Sequence, residues 1–541
     1  MKRYELKKRP NILLLFSDEH SFRFMGHVPV SAGGEPIETP TFDRLASQAT
    51  VFSNAYCQMP LCTPSRISML TGREVRRSGA WTNESVLRPE LPTLPGVLRD
   101  AGYTTCLVGK MHLGGTQQFV GFEHRPYGDL TGKCGHQWEP IPEKEPGMRE
   151  RTSKAVGVTQ IPESLIQDEV VCHETIAFLR EHQHANPDKP WFLCASFSRP
   201  HFPLTAPRRH LEKFWPDNVT EPKVPPAGDA YNHPMSVGMR KGFKADEISH
   251  DEMMYARACY FACVSYLDEV IGDLFGSLER DGLLDNTIIA YTTDHGEMAG
   301  EHGVWWKNGW YEACTHVPLI VSMPEHRRGD LASGTCETPV GLVDLFPTLT
   351  SLAGVPLPEK VDGASLSGVI TRDELAPDRP IVCDALTPRW GEGTEFRMVR
   401  QGRYKYVRFR NAPSLAFDLQ SDPGEQHNLL QQEAELPEPL QALATFADES
   451  MDFDEAENER TERDGSLQKQ YAHNAPASTG NLYVMPSGEV VNAEDTLYAP
   501  TTIATSLNDM LGDGWDQQNR GQQAPEATLD SVPQCRRSHE P

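Results

Sequence analysis

The chain has 541 residues, 38% hydrophobic and 23% charged, and its 76 acidic against 51 basic side chains leave a net charge of −25. That is enough chain for one large α/β domain, a smaller companion and a tail. The acidity argues against a nucleic-acid partner, which needs clustered Lys and Arg, and against docking on an anionic membrane.

Residues 11–16 form an apolar run, Ile12-Leu13-Leu14-Leu15-Phe16, that reads as a buried strand and delivers Ser17-Asp18-Glu19-His20. The run is too short for a signal-peptide core, and no segment is long enough to span a bilayer, so a cytoplasmic location is expected. Residues 41–49 predict a short helix. Cys62-Thr63-Pro64 then leads into a helix over 65–70. A helix over 95–101 stops at Gly102, a strand over 104–108 runs into Gly109-Lys110-Met111-His112, and a helix follows over 165–180. The strand over 191–196 ends just before Arg199-Pro200-His201.

The clearest helix spans 252–280, with Cys263, Leu267, Val270, Ile271, Leu274 and Leu278 on one face. The strand over 287–293 delivers Asp294-His295-Gly296, and a strand over 317–322 and a helix over 342–353 follow. After about 385 the pattern changes: residues 396–410 alternate around Gly402 as a hairpin does, and 415–419 add a third strand. The chain is polar from about 451 and is expected to be disordered from about 517.

This alternation predicts an α/β fold. A large, mixed, mostly parallel sheet is flanked by helices, and a small C-terminal antiparallel sheet follows. The expected units are a catalytic domain over 9–385, a small α+β subdomain over 386–450 and a polar extension over 451–541. The twelve cysteines show no C-x-x-C pair with zinc spacing, and Cys106, Cys194, Cys259 and Cys263 read as small buried hydrophobes. The sequons at Asn83 and Asn218 read as chance. Asp18, Lys110, His201, Asp294 and His295 share one position, the C-terminal end of an apolar strand, where open α/β sheets bind ligands.

The segment Cys62-Thr63-Pro64-Ser65-Arg66-Ile67-Ser68-Met69-Leu70-Thr71-Gly72-Arg73 resembles the sulfatase signature. Gly102 to His112 resembles the second signature of that family, and Asp294-His295-Gly296-Glu297 through Gly300-Glu301-His302-Gly303 to Lys307 resembles its metal and sulfate segment. Over roughly residues 9–430 the chain thus resembles the formylglycine-dependent sulfatases of the alkaline-phosphatase-like superfamily. The Asp294-His295 pair looks most like the choline-sulfatase and phosphonate-monoester-hydrolase branch.

The resemblance implies that Cys62 is oxidised to formylglycine by a formylglycine-generating enzyme. The aldehyde hydrate then attacks sulfur with one hydroxyl, and the second lets it collapse and expel sulfate. It implies a divalent cation on Asp18, Asp294, His295 and an oxygen at position 62; mostly oxygen ligands favour calcium, with magnesium or manganese as alternatives. Arg66 and Lys110 would hold the hydrate oxygens and the sulfate charge, and His112 would be the base. His201 and Lys307 would bind sulfate, with His201 the acid for the departing alcohol. Glu19, where many members have aspartate or an amide, is left off the ligand set.

The expected reaction is hydrolysis of a small-molecule or carbohydrate sulfate ester. A phosphodiester or phosphonate monoester hydrolase on the same scaffold, and an unmatured protein that only binds sulfated ligands, are the alternatives. Pocket walls are expected from the loops near 115–160 and 205–245, and Trp305 and Trp306 are candidates for an aromatic cage. The sequence is compatible with an oligomer.

Overall fold

The computed structural model describes residues 9–115, 117–128, 156–358, 361–431, 435–470, 482–484 and 490–492. The stretch from 517 and the greater part of the loop near 115–160 lie outside them.

The main sheet draws on eight strands: β1 (Asn11–Asp18), β2 (Thr50–Phe52), β3 (Thr104–Gly109), β4 (His124–Gly128), β5 (Trp191–Pro200), β6 (Thr287–Thr293), β7 (Leu319–Ser322) and β8 (Gly334–Cys336). Their order in space is β8-β2-β7-β6-β1-β5-β3-β4. The five from β6 to β4 are mutually parallel, and β7 enters antiparallel between β6 and β2. β1 and β6 are buried along almost their whole length, as strands covered on both faces must be.

Two strands run further than the apolar pattern predicts. β1 continues to Asp18 and β5 to Pro200, because the polar ends are buried too. Register then sets the ends side by side: Ser17 faces Thr293, Asp18 faces Pro200 and Gly109 faces Ser196. Close approach of β3 to β5 requires glycine at 109, where φ is 100° and a Cβ would strike the Ser196 carbonyl.

Helices cover both faces. α1 (Cys62–Thr71) is buried throughout, and α2 (Val75–Ser78) follows it. α3 (Gln167–Ala185) and α4 (His250–Arg280) pack against each other and against the sheet. Ser249 and Glu252 form a reciprocal capping box that starts α4 two residues before the apolar pattern does.

The C-terminal sheet has four antiparallel strands, β9 (Ile381–Ala385), β10 (Phe396–Gln401), β11 (Tyr404–Phe409) and β12 (Leu415–Asp418). The last three match the predicted hairpin and third strand; β9 carries too short an apolar run to be read from sequence. α5 (Glu438–Glu449) buries Leu440, Leu443 and Ala447 against Val399, Tyr406 and Ala416. α6 (Phe453–Gln470) is polar, and its Glu455 pairs with Arg76 of α2.

A buried charge network ties this sheet to the large domain. Lys405 Nζ donates to Glu312 Oε1 at 2.9 Å and Glu425 Oε1 at 2.6 Å, and Glu425 Oε2 accepts the Glu312 backbone N–H at 2.9 Å. Glu312 Oε2 accepts from the Tyr56 hydroxyl at 2.9 Å and pairs with His316 at 3.2 Å, while Arg400 reaches the same hydroxyl at 3.0 Å. Burial alone would raise Glu312, but Lys405 and His316 outweigh it and hold the carboxyl well below its usual range. Burial wins at Glu425, with Lys405 opposing and Glu312 reinforcing, and pushes it up to about 7.

Candidate active site

Cys62 opens α1 behind Leu61, whose backbone is extended, and no side chain caps the helix. The positive end of the helix dipole is therefore turned toward Cys62, where it favours an anion. The Thr63 N–H donates to Asn83 Oδ1 at 3.2 Å.

Four strand ends converge on Cys62. Among the described residues, Asp18, Cys62, Asp294 and His295 form one group whose ligand atoms all lie within 4.8 Å of one another, and Asp18, Glu19 and His201 form a second. Cys62 Sγ is 3.4 Å from His295 Nε2 and 4.0 Å from Asp18 Oδ1, with all three residues buried. The His295 Nδ1–H donates to the Gly296 carbonyl at 3.0 Å, which leaves Nε2 as a lone-pair donor facing the cluster. The Sγ of unmodified Cys62 stands where a formylglycine oxygen would sit.

Arg66, four residues along α1 from Cys62, is the hub. Its Nη2 donates to Asp18 Oδ2 at 2.6 Å and its Nε to Asp294 Oδ2 at 2.9 Å. Its Nη1 caps the Lys110 carbonyl at 2.8 Å and reaches Ser196 Oγ at 3.2 Å, with the Phe16 ring beneath the guanidinium. It therefore grips the carboxylates, where the sequence reading had it on the hydrate oxygens. Lys110 Nζ adds a 2.7 Å pair to Asp18. Burial would raise Asp18, but Lys110, His201 and Arg66 outweigh it and hold the carboxyl well below its usual range. Burial would likewise lower Lys110, and Asp18 with the group at position 62 raises it instead.

The other side of the cluster holds Glu19, His201 and Lys307. Lys307 Nζ donates to Glu19 Oε2 at 3.0 Å, and His201 Nε2 lies 3.3 Å from the same oxygen and 3.8 Å from Asp18 Oδ1. The His201 Nδ1–H donates to the Phe202 carbonyl at 2.7 Å, which turns Nε2 into the cluster, where it carries a proton in the imidazolium form. Burial would lower Lys307, but the group at position 62, Glu19 and Asp18 keep it protonated.

Glu19 itself is raised well above its usual range, by burial first and then, against Lys307, by Glu297. Glu297 accepts the backbone N–H groups of Ala299 at 2.9 Å and Trp306 at 2.5 Å, which closes the loop that presents Lys307. His112 meets α1 through its backbone carbonyl, which accepts from the Thr63 hydroxyl.

Positive φ outside glycine gathers here: Glu19 (64°), His112 (51°), Trp306 (73°) and Asn308 (67°). Each such conformation costs about 1–3 kcal/mol and is held by its surroundings. Of the cage candidates, Trp305 is core, whereas Trp306 has the Arg389 guanidinium 4.1 Å from its ring centroid and Lys307 Nζ at 5.2 Å.

The structure thus brings together Asp18, Cys62, Arg66, Lys110, His201, Asp294, His295 and Lys307, and sets His112 against the helix that begins at Cys62. Sequence reasoning left Glu19 off the ligand set and missed Glu297 and Ser196. Glu19 and Glu297 stood inside motifs it quoted, and their burial was the missing signal.

Residues 10–355 match the family model described as Sulfatase, and residues 300–444 match one described as N-sulphoglucosamine sulphohydrolase, C-terminal. A choline-sulfatase of Rhizobium meliloti (strain 1021) is 30% identical over 436 residues, covering 78% of this chain and 82% of its own. An arylsulfatase of Clostridium perfringens (strain 13 / Type A) is 28% identical, covering 79% and 91%. A phosphonate monoester hydrolase of Agrobacterium radiobacter superimposes with a TM-score of 0.65 at 22% identity, covering 90% of this chain and 99% of that one, which is a likeness of fold.

Proposed function

This chain belongs to the sulfatase family and hydrolyses organic sulfate monoesters to alcohol and inorganic sulfate. From that premise we propose that Cys62, matured by a formylglycine-generating enzyme, is the reacting centre. The observation that carries this is Cys62 Sγ at a buried, uncapped helix start, 3.4 Å from His295 Nε2 and within the same group as Asp18 and Asp294. The choline-sulfatase relative and the phosphonate-hydrolase fold agree with the branch that the Asp294-His295 pair indicates.

The donor set fits a divalent cation, because two carboxylates, an imidazole lone pair and an oxygen at position 62 face one another. Oxygen donors dominate, so calcium is the first reading, and the imidazole makes manganese the next. Formylglycine supplies a hydrated aldehyde, with one hydroxyl as nucleophile toward sulfur and a second whose proton loss restores the carbonyl. The cation supplies charge that eases deprotonation of the first.

The chain's own residues do the rest. Arg66 fixes both carboxylates and offsets their charge. The anchored Nδ1–H of His295 keeps its Nε2 turned inward. Lys110 and Lys307 place preorganised positive charge where sulfate charge develops. His201, with its proton on Nε2, is the acid that protonates the departing alkoxide, and His112 is the base for the restoring step. The Arg389 stack on Trp306 puts a cation where a quaternary ammonium would need an open ring face. We therefore read the substrate as a carbohydrate sulfate in preference to choline sulfate.

The test is a sulfate-release assay on matured protein with sugar sulfates, choline sulfate and a phosphodiester. The mass of the Cys62 peptide is measured alongside and should be about 18 Da below the thiol form. Cys62→Ala should release no sulfate while keeping its fold. Undiminished release by that variant would remove Cys62 from the mechanism, and preference for choline sulfate would overturn the substrate reading.

A further inference from the structure

Beyond the reaction centre, arginines meet from both sides of one junction. The turn after α1 and the segment beyond α2 carry Arg73 and Arg88, and α6 carries Arg460 and Arg463, three residues apart. Arg463 lies on Gly79, where φ is 74° and a Cβ would collide with its Nη1. Arg88 donates to the Arg77 carbonyl immediately before. The two guanidinium groups therefore share the surface of residues 77–79.

The Nε atoms of Arg73, Arg88 and Arg460 and Nη1 of Arg463 are buried without a hydrogen-bond partner among the described residues. Burial first, then Arg463 and, against Glu90, Arg73 pull Arg88 below the usual arginine value. The nearest carboxylates stay on the rim: Glu90 is 3.8 Å from Arg88, Glu459 is 3.8 Å from Arg463 and Glu457 is 3.6 Å from Arg460.

A buried donor left unpaired costs about 1–3 kcal/mol, and like charges packed together add to that cost. Among the described residues no carboxylate accepts from these four donor atoms. The fork of N–H donors on an arginine suits a tetrahedral oxyanion.

We propose that the junction of Arg73, Arg88, Arg460 and Arg463 is a second anion site, which binds an oxyanion of the sulfate class between α6 and the catalytic domain. α1 is ten residues long, so Arg73 lies roughly 15 Å along its axis from Cys62, and the site is separate from the reaction centre. It stands on the arginine geometry and not on the chemistry at Cys62. Inorganic sulfate released by the enzyme and a second sulfate group on an extended substrate offer the same chemistry. Either would clamp α6 in place.

Amide hydrogen exchange on the full-length protein tests this, with inorganic sulfate against chloride at equal ionic strength. Sulfate should slow exchange across α6 at least about threefold in the wild type, since a ligand stabilises the state that binds it. Arg88→Gln and Arg463→Gln should each lose most of that protection while sulfate release from a small monosulfated ester stays unchanged. Absence of sulfate-dependent protection of α6 in the wild type, or full protection in both variants, overturns the site. Kinetics then assign the source. A raised KM for a disulfated oligosaccharide alone, in Arg88→Gln, points to the substrate's second sulfate, and an unchanged KM for both esters points to the free anion.

Discussion

Around Lys405 and around Cys62 the protein buries nearly the same chemistry, carboxylates with lysine, arginine and histidine, and arranges it differently. In the Lys405 network Glu312 and Glu425 share one lysine, and each carboxylate oxygen meets a donor at 3.2 Å or less. Those charges spend their attraction on one another and lock the small sheet to the large domain. At Cys62, four strand ends carry charge toward one point, Glu19 Oε1 meets no donor among the described residues, and several residues sit at strained φ. Here the desolvation cost is offset by chemistry done on a ligand. Burial of charge alone therefore does not mark a functional site; unspent donor and acceptor capacity does.

Removing the metal should separate the two regions most sharply. Exhaustive chelation is expected to abolish sulfate release and leave the Lys405 network intact, with calcium restoring activity; turnover unaffected by chelation would break the assignment of Asp18, Asp294 and His295. Paired lysine variants come next. Lys405→Met strands two buried carboxylates and should lower unfolding free energy by about 3–5 kcal/mol with little change in kcat. Lys307→Ala should lower kcat/KM by about 10²–10³ with a smaller stability change. Chemical denaturation and steady-state kinetics read both, and exchanged phenotypes would invert the comparison.

The smallest effect is in pH. Glu425 is raised in the folded state to about 7 from an ordinary 4.5, so between those values the folded chain holds a proton that the unfolded chain has lost. Its contribution to stability should therefore fall as pH rises through that window and level off above it. Glu312, shifted downward, acts in the opposite sense, losing stability as pH falls below 4.5. Subtracting the stability profile of Glu425→Gln from that of the wild type isolates the slope, and a flat difference between pH 5 and 7 would show that Glu425 is ionised in the fold.

Much of the fold and site was legible because apolar strands announce themselves and their polar ends follow at once. Asp18, Lys110, His201 and Asp294 all came from that pattern, and Cys62 from its own signature. What was not legible depends on partners distant in sequence. Glu19 and Glu297 read as ordinary acids until Lys307 and the backbone N–H of Trp306 are brought against them. The grip of Arg66 on two carboxylates was not legible, because only register shows that Asp18 and Asp294 both fall within reach of one guanidinium. Lys405 sits in a hairpin whose alternation reveals the strand and says nothing of Glu312, which is 93 residues earlier.

The register that sets Ser17 beside Thr293 and Asp18 beside Pro200 has a consequence for the chain as it is made. Asp18 can meet Arg66, Lys110 and His201 early, but Asp294 and His295 join it only when residues 287–307 have emerged. Until then the group around Cys62 lacks two of its four members, and a nascent chain that stops short of them holds an incomplete cluster.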